Sequence, residues 1–301
     1  MKLLGKLAFI TAAWSGSVFA QSRTPTSWWE NFDRTATAAA SWVNNLSRTS
    51  AEAFRKNSAT FQIDLGAVRH QQLAPSWLLQ VGAEASAFTA PRYELTNYFT
   101  AGPRLGLQYK LGLGPLAPVV QLDTALDYKF ARLDADRGWG VETNLRLAKR
   151  LAPGVRAAIG GQWLEHYARS ATFDLHQHSL YVEATWDFGE RWSLSGRAGR
   201  LNGDVVANAA WPVWAQALDG AFGEEVEEYY TARPWEITHL YGDKWVSYNV
   251  EAKADLLALT LSYAANDRTT LELRYNSAFV INSADIRYPT DSWGLGVVHR
   301  F

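Results

Sequence analysis

The chain has 301 residues, 48% of them hydrophobic, with a mean hydropathy of -0.20 and a formal net charge of -1. This length allows one large or two small domains, and the hydropathy excludes a helical membrane protein, which would need several long apolar runs. The absence of cysteine excludes a small scaffold held by disulfides, and the near-zero charge gives no reason to expect nucleic-acid binding.

The first residues of the chain predict an export signal. Two lysines precede an apolar stretch from Leu7 to Phe19, and Val18 and Ala20 stand three and one positions before the expected cleavage point. The stretch is shorter than the ~20 residues that span a bilayer as a helix. We therefore expect residues 1–20 to be a signal peptide and the mature chain to begin at Gln21.

Residues 21–57 show helical spacing instead of alternation. Ser27 and Glu30 fit a capping box, which marks the start of a helix. Apolar side chains then recur every three or four residues. These residues are Phe32, Ala36, Ala39, Val43 and Leu46. The pattern predicts an amphipathic helix in the periplasm or inside the domain that follows.

From residue 58 to the end, apolar and polar side chains alternate in segments separated by turn residues. The segments start near residues 61, 77, 105, 122, 139, 155, 180, 192, 248, 271 and 293. This pattern predicts an all-β fold, a closed antiparallel transmembrane β-barrel over residues 58–301. Because such barrels usually have an even strand number, we expect about 12 strands, with about 10 or 14 as alternatives. The phase slip at Leu256 and Leu257 suggests that the missing strand is merged into residues 245–264.

Connection lengths predict the orientation, because periplasmic turns are short and extracellular loops are long in such barrels. The links at residues 151–154, 188–191 and 265–268 would face the periplasm. Those near residues 88–100, 131–138, 167–177, 204–244 and 281–291 would face outside. The 14 Trp, 13 Tyr and 13 Phe would supply two interfacial girdles. We expect Trp77, Trp186, Trp192 and Phe301 at the inner interface, and Trp139, Trp163, Trp245 and Trp293 at the outer one.

The polar faces of the segments carry carboxylates and cations in equal number. This balance favours a salt-bridged interior over a wide, strongly ion-selective pore. The residues that we expect to line the lumen are Asp64, Glu84, Arg104, Asp123, Asp127, Glu142, Arg146, Arg156, Glu183, Arg197, Glu251, Lys253, Glu272 and Arg274.

A cluster of His, Ser and Asp before the seventh segment is the best catalytic candidate. A Ser activated by a His at the outer rim could hydrolyse a lipid ester, and imidazole with carboxylate could bind a metal. The candidates are His176, His178 and Ser179. The H-x-S-N-G type motif of barrel phospholipases is absent, since Gln177 follows His176. The pattern therefore favours polar loop residues, with no metal and no cofactor.

The longest outer loop, residues 204–244, combines aromatic and acidic side chains. Pro212 suits a helix start, so a short surface helix over the barrel mouth is expected. Exposed rings beside carboxylates suit stacking on sugar rings and accepting hydrogen bonds from hydroxyls, whereas rings that pack on one another would leave a plain surface loop. The candidate binding residues are Trp211, Trp214, Glu224, Glu225, Tyr229, Tyr230 and Trp235.

The final strand, residues 293–301, alternates large apolar side chains with small or polar ones. Trp293, Leu295 and Phe301 share one face, and glycines occupy much of the other. The strand resembles the C-terminal signal of outer-membrane β-barrel proteins, which their assembly machinery reads, although His299 stands where they usually have Tyr or an apolar residue. A helix followed by a barrel of this size with an aromatic outer loop is similar to the C-terminal barrels of exopolysaccharide export proteins and the phage N4 adsorption protein.

These resemblances imply the outer membrane of a Gram-negative bacterium and the passage or presentation of a surface polymer. We predict a non-enzymatic conduit for a saccharide or exopolysaccharide, and secondarily a surface receptor for phage. The alternatives are an outer-membrane lipid hydrolase, of the phospholipase or lipid A deacylase type, and a translocator barrel with its helix in the lumen. Expected partners are outer-membrane lipid, lipopolysaccharide, the barrel assembly machinery, and a surface polysaccharide or a periplasmic export protein.

Overall fold

The alternating segments form long antiparallel strands in this computed structural model, which describes residues 32–219 and 232–301. The strands are β1 (Asp33–Asn44), β2 (Ser58–Ala74), β3 (Trp77–Thr89), β4 (Tyr98–Lys110), β5 (Val119–Ala131), β6 (Gly138–Ala152), β7 (Val155–Ala168), β8 (Leu175–Phe188), β9 (Trp192–Ala210), β10 (Trp235–Thr238), β11 (Trp245–Ala264), β12 (Thr269–Asn282) and β13 (Arg287–Arg300). One helix, α1 (Trp211–Leu218), follows β9. The predicted signal peptide, the Ser27–Glu30 capping box and residues 220–231 lie outside the described residues.

The sheet closes on itself, so that the barrel has no free edge. The short β10 pairs only with the outer end of β11. Leaving β10 aside, each strand pairs with its neighbours along the chain, β9 pairs with β11, and β1 pairs with β13. In the described part of the chain, 12 strands thus form the wall, which confirms the predicted fold class and strand number. Closure satisfies the backbone groups of every strand inside a lipid bilayer, where water cannot do so.

The predicted helix over Phe32–Leu46 is wrong within the described residues, because Asp33–Asn44 is strand β1. Alanine occupies both faces of this segment, so the alternation of large and small side chains that marks other strands is hidden. The strand hydrogen-bonds to β2 on one side and β13 on the other, with Trp42 directly opposite Trp293. Pairing on both edges therefore overrides the helical propensity of alanine. The barrel therefore includes Asp33–Asn44, which precede its predicted start at residue 58.

β1 is also the strand that the alternation did not reveal. The stretch from Trp245 to Ala264 is one unbroken strand, in continuous register with β9 from Trp245 to Tyr263. The phase slip at Leu256 and Leu257 therefore marks no split. Its cause is a change in what covers the two faces of β11 along its length.

The links alternate between a short-turn end and a long-loop end, as the connection lengths predicted. The N–H of Phe301 donates to the carbonyl oxygen of Arg34 at 3.1 Å, so the first and last strands meet at the short-turn end. The turns 153–154, 189–191 and 265–268 lie there, and the loops after β1, β3, β5, β7 and β9 lie at the other end. No helix within the described residues is long and apolar enough to cross a membrane.

Aromatic side chains gather near both ends of the outer wall. At the short-turn end, Trp192 contacts Tyr263 with ring centres 4.8 Å apart. At the other end, Trp293 and Tyr275 are 4.4 Å apart, and Trp42 is exposed beside them. The placement of Trp245 in this outer girdle is wrong, because the side chain is only 4% exposed.

Candidate functional site

The wall of the barrel is polar inside and apolar outside. On β5, the buried Gln121, Asp123 and Asp127 alternate with the exposed Leu122 and Leu126. This order reverses the pattern of a soluble protein, since the side chains that avoid water are the ones on the outer surface. A lipid-facing exterior and a polar lumen account for both faces.

All but two of the predicted lumen-lining residues lie on the inner face, as the strand register shows. The exceptions are Glu251 and Lys253, which are exposed on the outer face of β11 while Val250, Ala252 and Ala254 face inward and are buried. The prediction for these two residues is wrong because the outer part of β11 carries charged groups on its outside. Glu251 there lies 3.7 Å from the guanidinium of Arg233.

The most deeply buried ion pair of the lumen spans β7. Arg146 of β6 donates from Nη2 to Oε1 of Glu183 on β8 at 2.5 Å, and both side chains are almost fully buried. Between them β7 offers Gly160, where a Cβ would lie only 2.4 Å from the hydroxyl oxygen of Tyr181 and 2.7 Å from the carbonyl oxygen of Leu145. Glycine at this position lets long polar side chains lie flat along the inner wall.

A second buried cation, Arg197 of β9, packs on the same part of the wall. Its guanidinium carbon lies 3.5 Å from the ring centre of Tyr181, whose hydroxyl donates to Oδ1 of Asn144 at 2.7 Å. Arg197 Nη2 donates to Oε1 of Gln162 at 3.1 Å. The aromatic ring thus supports the guanidinium plane through a cation–π contact.

Two further groups of charges lie elsewhere on the inner wall. Arg104 stands between two carboxylates, 3.6 Å from Glu84 and 3.4 Å from Asp123. Arg274 donates from Nε to Oε2 of Glu272 at 2.7 Å. Cations and carboxylates therefore neutralise one another around the lumen, as the sequence balance indicated.

The outer ends of β9 and β11, residues 204–210 and 245–250, form a segment that we call the mouth ribbon. All residues of its β11 part are buried, so neither face contacts lipid or solvent. Helix α1 covers one face: the ring of Trp214, which is 2% exposed, lies 4.9 Å from Tyr248 and 5.5 Å from Trp235. Val246, Val250 and several residues of β9 belong to the same apolar cluster.

The outer loops cover the other face of the mouth ribbon. Asn208 Nδ2 donates to the carbonyl oxygen of Ser47 at 3.0 Å, and Asn249 Nδ2 donates to that of Asp174 at 2.7 Å. Tyr241 donates its hydroxyl to the carbonyl oxygen of Leu46 at 2.9 Å, and burial raises the pKa of this phenol, so it remains a neutral donor. These partners belong to the β1–β2 and β7–β8 loops, which lie on either side of the ribbon in the strand order. The ribbon therefore joins loops around the barrel mouth.

The sequence matches no protein-family model and no curated relative. Its fold is similar to that of an outer-membrane channel from Pseudomonas putida F1, with a TM-score of 0.58 at 10% identity over 89% of this chain and 95% of that one. The comparison with the NanC porin gives a TM-score of 0.47 at 8% identity over 88% of this chain and 100% of that one. The outer-membrane phospholipase of Salmonella typhi gives a TM-score of 0.46 at 12% identity over 93% of this chain and 94% of that one. The chain is an outer-membrane β-barrel. Its lipid-facing wall agrees with the outer membrane of a Gram-negative bacterium.

This outer-membrane barrel does not present the predicted aromatic loop as a set of exposed rings. Trp214 is buried in the apolar cluster, Trp211 packs against that cluster, and Trp235 is partly exposed. The expected short helix is present as α1, with Pro212 in its first turn. The other predicted binding residues of this loop, Glu224, Glu225, Tyr229 and Tyr230, lie outside the described residues.

The His and Ser candidates do not come together. His176 and His178 are exposed on the outer face of β8, whereas Ser179 is buried on the inner face, because neighbouring strand residues point to opposite sides. His176 contacts Glu165. The geometry therefore does not support a catalytic pair of His178 and Ser179. Nor do the residues that the structure describes contain a group of three or more side chains able to hold a metal.

Sequence reasoning missed the mouth ribbon as a functional element. The only signal in the sequence was the pair Trp245 and Val246, two large apolar side chains at consecutive positions, since large and polar residues alternate again from Val246 to Val250. Consecutive large apolar side chains are expected where both faces of a strand are buried.

Proposed function

We propose that this outer-membrane barrel is a channel for a small polar solute, and that the solute is a saccharide. The polar inner wall carries the proposal. Buried hydroxyls, amides and paired charges line the lumen from β2 to β9, among them Thr60, Thr100, Gln121, Asn144 and Ser195. Such groups offer donors and acceptors to water and sugar hydroxyls along the whole path, and their balanced charge avoids trapping ions of one sign.

The fold supports the same proposal. The solved structure with the TM-score of 0.58 is named an outer-membrane channel, and its fold covers most of both chains. The likeness concerns the fold alone, so the choice of a saccharide depends on the chemistry of the lumen. An exopolysaccharide would need a wider path than a monosaccharide, and we propose the smaller solute because charged side chains extend into the lumen from several strands.

We further propose that the mouth ribbon and α1 limit passage through the channel. Trp214 joins α1 to Tyr248 and Trp235, and hydrogen bonds tie the ribbon to the loops after β1 and β7. Loops that fold over a barrel mouth restrict the size and rate of solutes that enter. Loosening the Trp214 contact should therefore increase permeability without changing the lumen.

Liposome swelling tests the channel. Vesicles containing the purified protein are placed in isotonic solutions of sugars of increasing size, and swelling rates are compared with those of protein-free vesicles. We expect faster swelling with monosaccharides than with larger sugars, and a further increase for Trp214→Ala. Trp186→Ala, which removes an exposed ring of the outer wall, is the control and should leave the rate unchanged. If neither the protein nor Trp214→Ala passes any sugar or carries current in planar bilayers, the proposal fails.

A receptor role for the outer surface is a second proposal, which the contacts among neighbouring loops favour. The N–H of Arg132 donates to the carbonyl oxygen of Asn97, and that of Arg169 to the carbonyl oxygen of Arg137, both at 2.8 Å. Such contacts hold consecutive loops in one arrangement, as a binding surface requires. Cells lacking the protein should lose adsorption of a phage that uses it. Arg169→Ala, which removes the hydrogen bond from the Arg169 guanidinium to Asp134 of the neighbouring loop, should weaken adsorption without changing sugar permeability. Unchanged adsorption by a panel of phages in the deletion strain would reject the receptor role.

A further inference from the structure

Arg197 differs from the other buried cations of the lumen in its partners. It is 3% exposed, and its hydrogen-bond acceptor is the neutral amide oxygen of Gln162. Its Nε and Nη1 donors find no acceptor within the part of the chain that the structure describes. A buried guanidinium without a carboxylate partner is costly, because desolvation is not offset by charge-assisted hydrogen bonds.

Glu183 provides a complementary unused group beside it. The two residues are directly opposite each other on β8 and β9 and face the lumen. Arg146 occupies Oε1 of Glu183, while Oε2 is buried and has no hydrogen-bond partner. The wall thus presents two donors and one acceptor on adjacent strands.

Both groups are held apart from each other by their other contacts. The ring of Tyr181 fixes the plane of the Arg197 guanidinium, and Arg146 fixes the carboxylate of Glu183. Glu142 and Glu183 attract Arg197 electrostatically, but neither supplies an acceptor to Nε or Nη1. Groups that are already oriented bind a ligand with less loss of side-chain entropy than mobile ones.

We propose that Arg197 and Glu183 form a binding site in the lumen for a small sugar acid. The carboxylate of the solute accepts hydrogen bonds from Arg197, and a hydroxyl group of the same solute donates to Oε2 of Glu183. A neutral sugar supplies the hydroxyl but leaves the guanidinium without an anion, and a simple carboxylic acid leaves Oε2 unsatisfied. This inference rests on the proposed channel for its biological meaning and specifies the class of solute.

The test measures binding and passage separately. Binding of glucuronate, glucose and acetate to the full-length protein in detergent is measured by calorimetry, and block of the ion current by the same solutes is measured in planar bilayers. We expect glucuronate to bind at least about tenfold more tightly than glucose or acetate, since hydrogen bonds to a charged partner are stronger than neutral ones. Equal affinity for the three solutes, or no binding, would overturn the site.

Variants locate the site. Arg197→Gln should weaken glucuronate binding by about tenfold or more, because it removes the charge and the unused donors. The matched control is Arg156→Gln on the same inner wall, whose guanidinium is already paired with both oxygens of Asp187 at 3.1 Å. It should change affinity by less than about twofold, the effect expected of a charge that is already neutralised by its partner and screened by salt. Equal losses of glucuronate affinity in the two variants would mean that the positive charges of the lumen as a whole attract the anion, and would reject the site.

A conservative variant keeps the test decisive if Arg197→Gln does not fold. Arg197→Lys retains the charge but lacks the planar set of donors, so it should also weaken glucuronate binding. Undiminished binding in Arg197→Lys would reject the role of the guanidinium donors. Glucuronate binding without any conductance would reject the channel and retain the site, whereas sugar passage without preference for glucuronate would do the reverse.

Discussion

The two halves of β11 meet different surroundings, although they belong to one continuous strand. Near the short-turn end, Leu257 and Leu259 are exposed on the outside and Thr260 is buried on the inside. At the outer end, Trp245 to Val250 are buried without interruption. Buried and exposed residues alternate only where the two faces of the strand contact different media. This alternation of exposure disappears in the mouth ribbon because helix α1 covers one face and the loops cover the other.

The first test of the difference between the two halves of β11 removes the contact that covers the inner side of the mouth ribbon. Trp214→Ala leaves a cavity beside Tyr248 and should lower the free energy of unfolding by about 3–5 kcal/mol if the ribbon opens only with the whole barrel. If the ribbon opens by itself, the same change should instead raise hydrogen exchange in residues 245–250 and leave the lower strands protected. Denaturant unfolding in micelles and hydrogen exchange distinguish these results.

Trp235→Ala provides the control for that prediction. Trp235 contacts Trp214 but is 37% exposed, so its removal creates a smaller cavity and should cost less than half as much as Trp214→Ala. Equal effects would mean that burial of Trp214 does not hold the ribbon in place.

The second test adds a charge to one half of the outer face of β11 and removes a charge from the other half. Leu259→Arg should destabilise the barrel in vesicles by about 2–4 kcal/mol, the cost of a cation near the middle of the bilayer. Lys253→Leu should change stability by less than about 0.5 kcal/mol, because the exposed lysine lies where charges already face outward. A large gain from Lys253→Leu would show that this part of β11 is immersed in lipid.

The third test concerns Gly203, where β9 leaves β8 and enters the mouth ribbon. Its φ of +126° is a conformation that side chains rarely allow, and a Cβ there would lie 2.1 Å from the carbonyl oxygen of His176. Gly203→Ala should lower the free energy of unfolding by about 1–3 kcal/mol. Gly196→Ala on the same strand should cost less than about 1 kcal/mol, since the added methyl meets only the flexible end of Leu259 at 3.2 Å. Similar losses of stability at both positions would mean that the conformation of Gly203 is not what allows β9 to leave β8 there.

The sequence was sufficient to predict the barrel because most strands present apolar side chains to the lipid and polar side chains to the lumen. It failed for β1, where alanines on opposite faces, such as Ala38 and Ala39, give no contrast between faces and only pairing with β2 and β13 defines the strand. It also assigned Glu251 and Lys253 to the lumen, since alternation tells that two faces differ but not which one is inside. The contacts of Arg197 could not be predicted from the sequence, because Tyr181, Gln162 and Glu183 come together only through the register of neighbouring strands.

The smallest expected effect concerns the loops that cover the outer side of the ribbon. Arg169 of the β7–β8 loop donates to Asp134 of the β5–β6 loop at 2.6 Å, and this hydrogen bond holds the pKa of the Asp134 carboxyl below its ordinary value. The contact therefore stabilises the loops above the ordinary titration range of aspartate, and its contribution is lost as the pH falls below that range. The protection of residues 169–174 against hydrogen exchange, expressed relative to the intrinsic rate at each pH, should fall as the pH is lowered from 7 to about 2 in the native protein. Asp134→Asn should show faster exchange at pH 7 and a weaker pH dependence; identical profiles would mean that apolar packing alone, and not this exposed ion pair, holds the loops together.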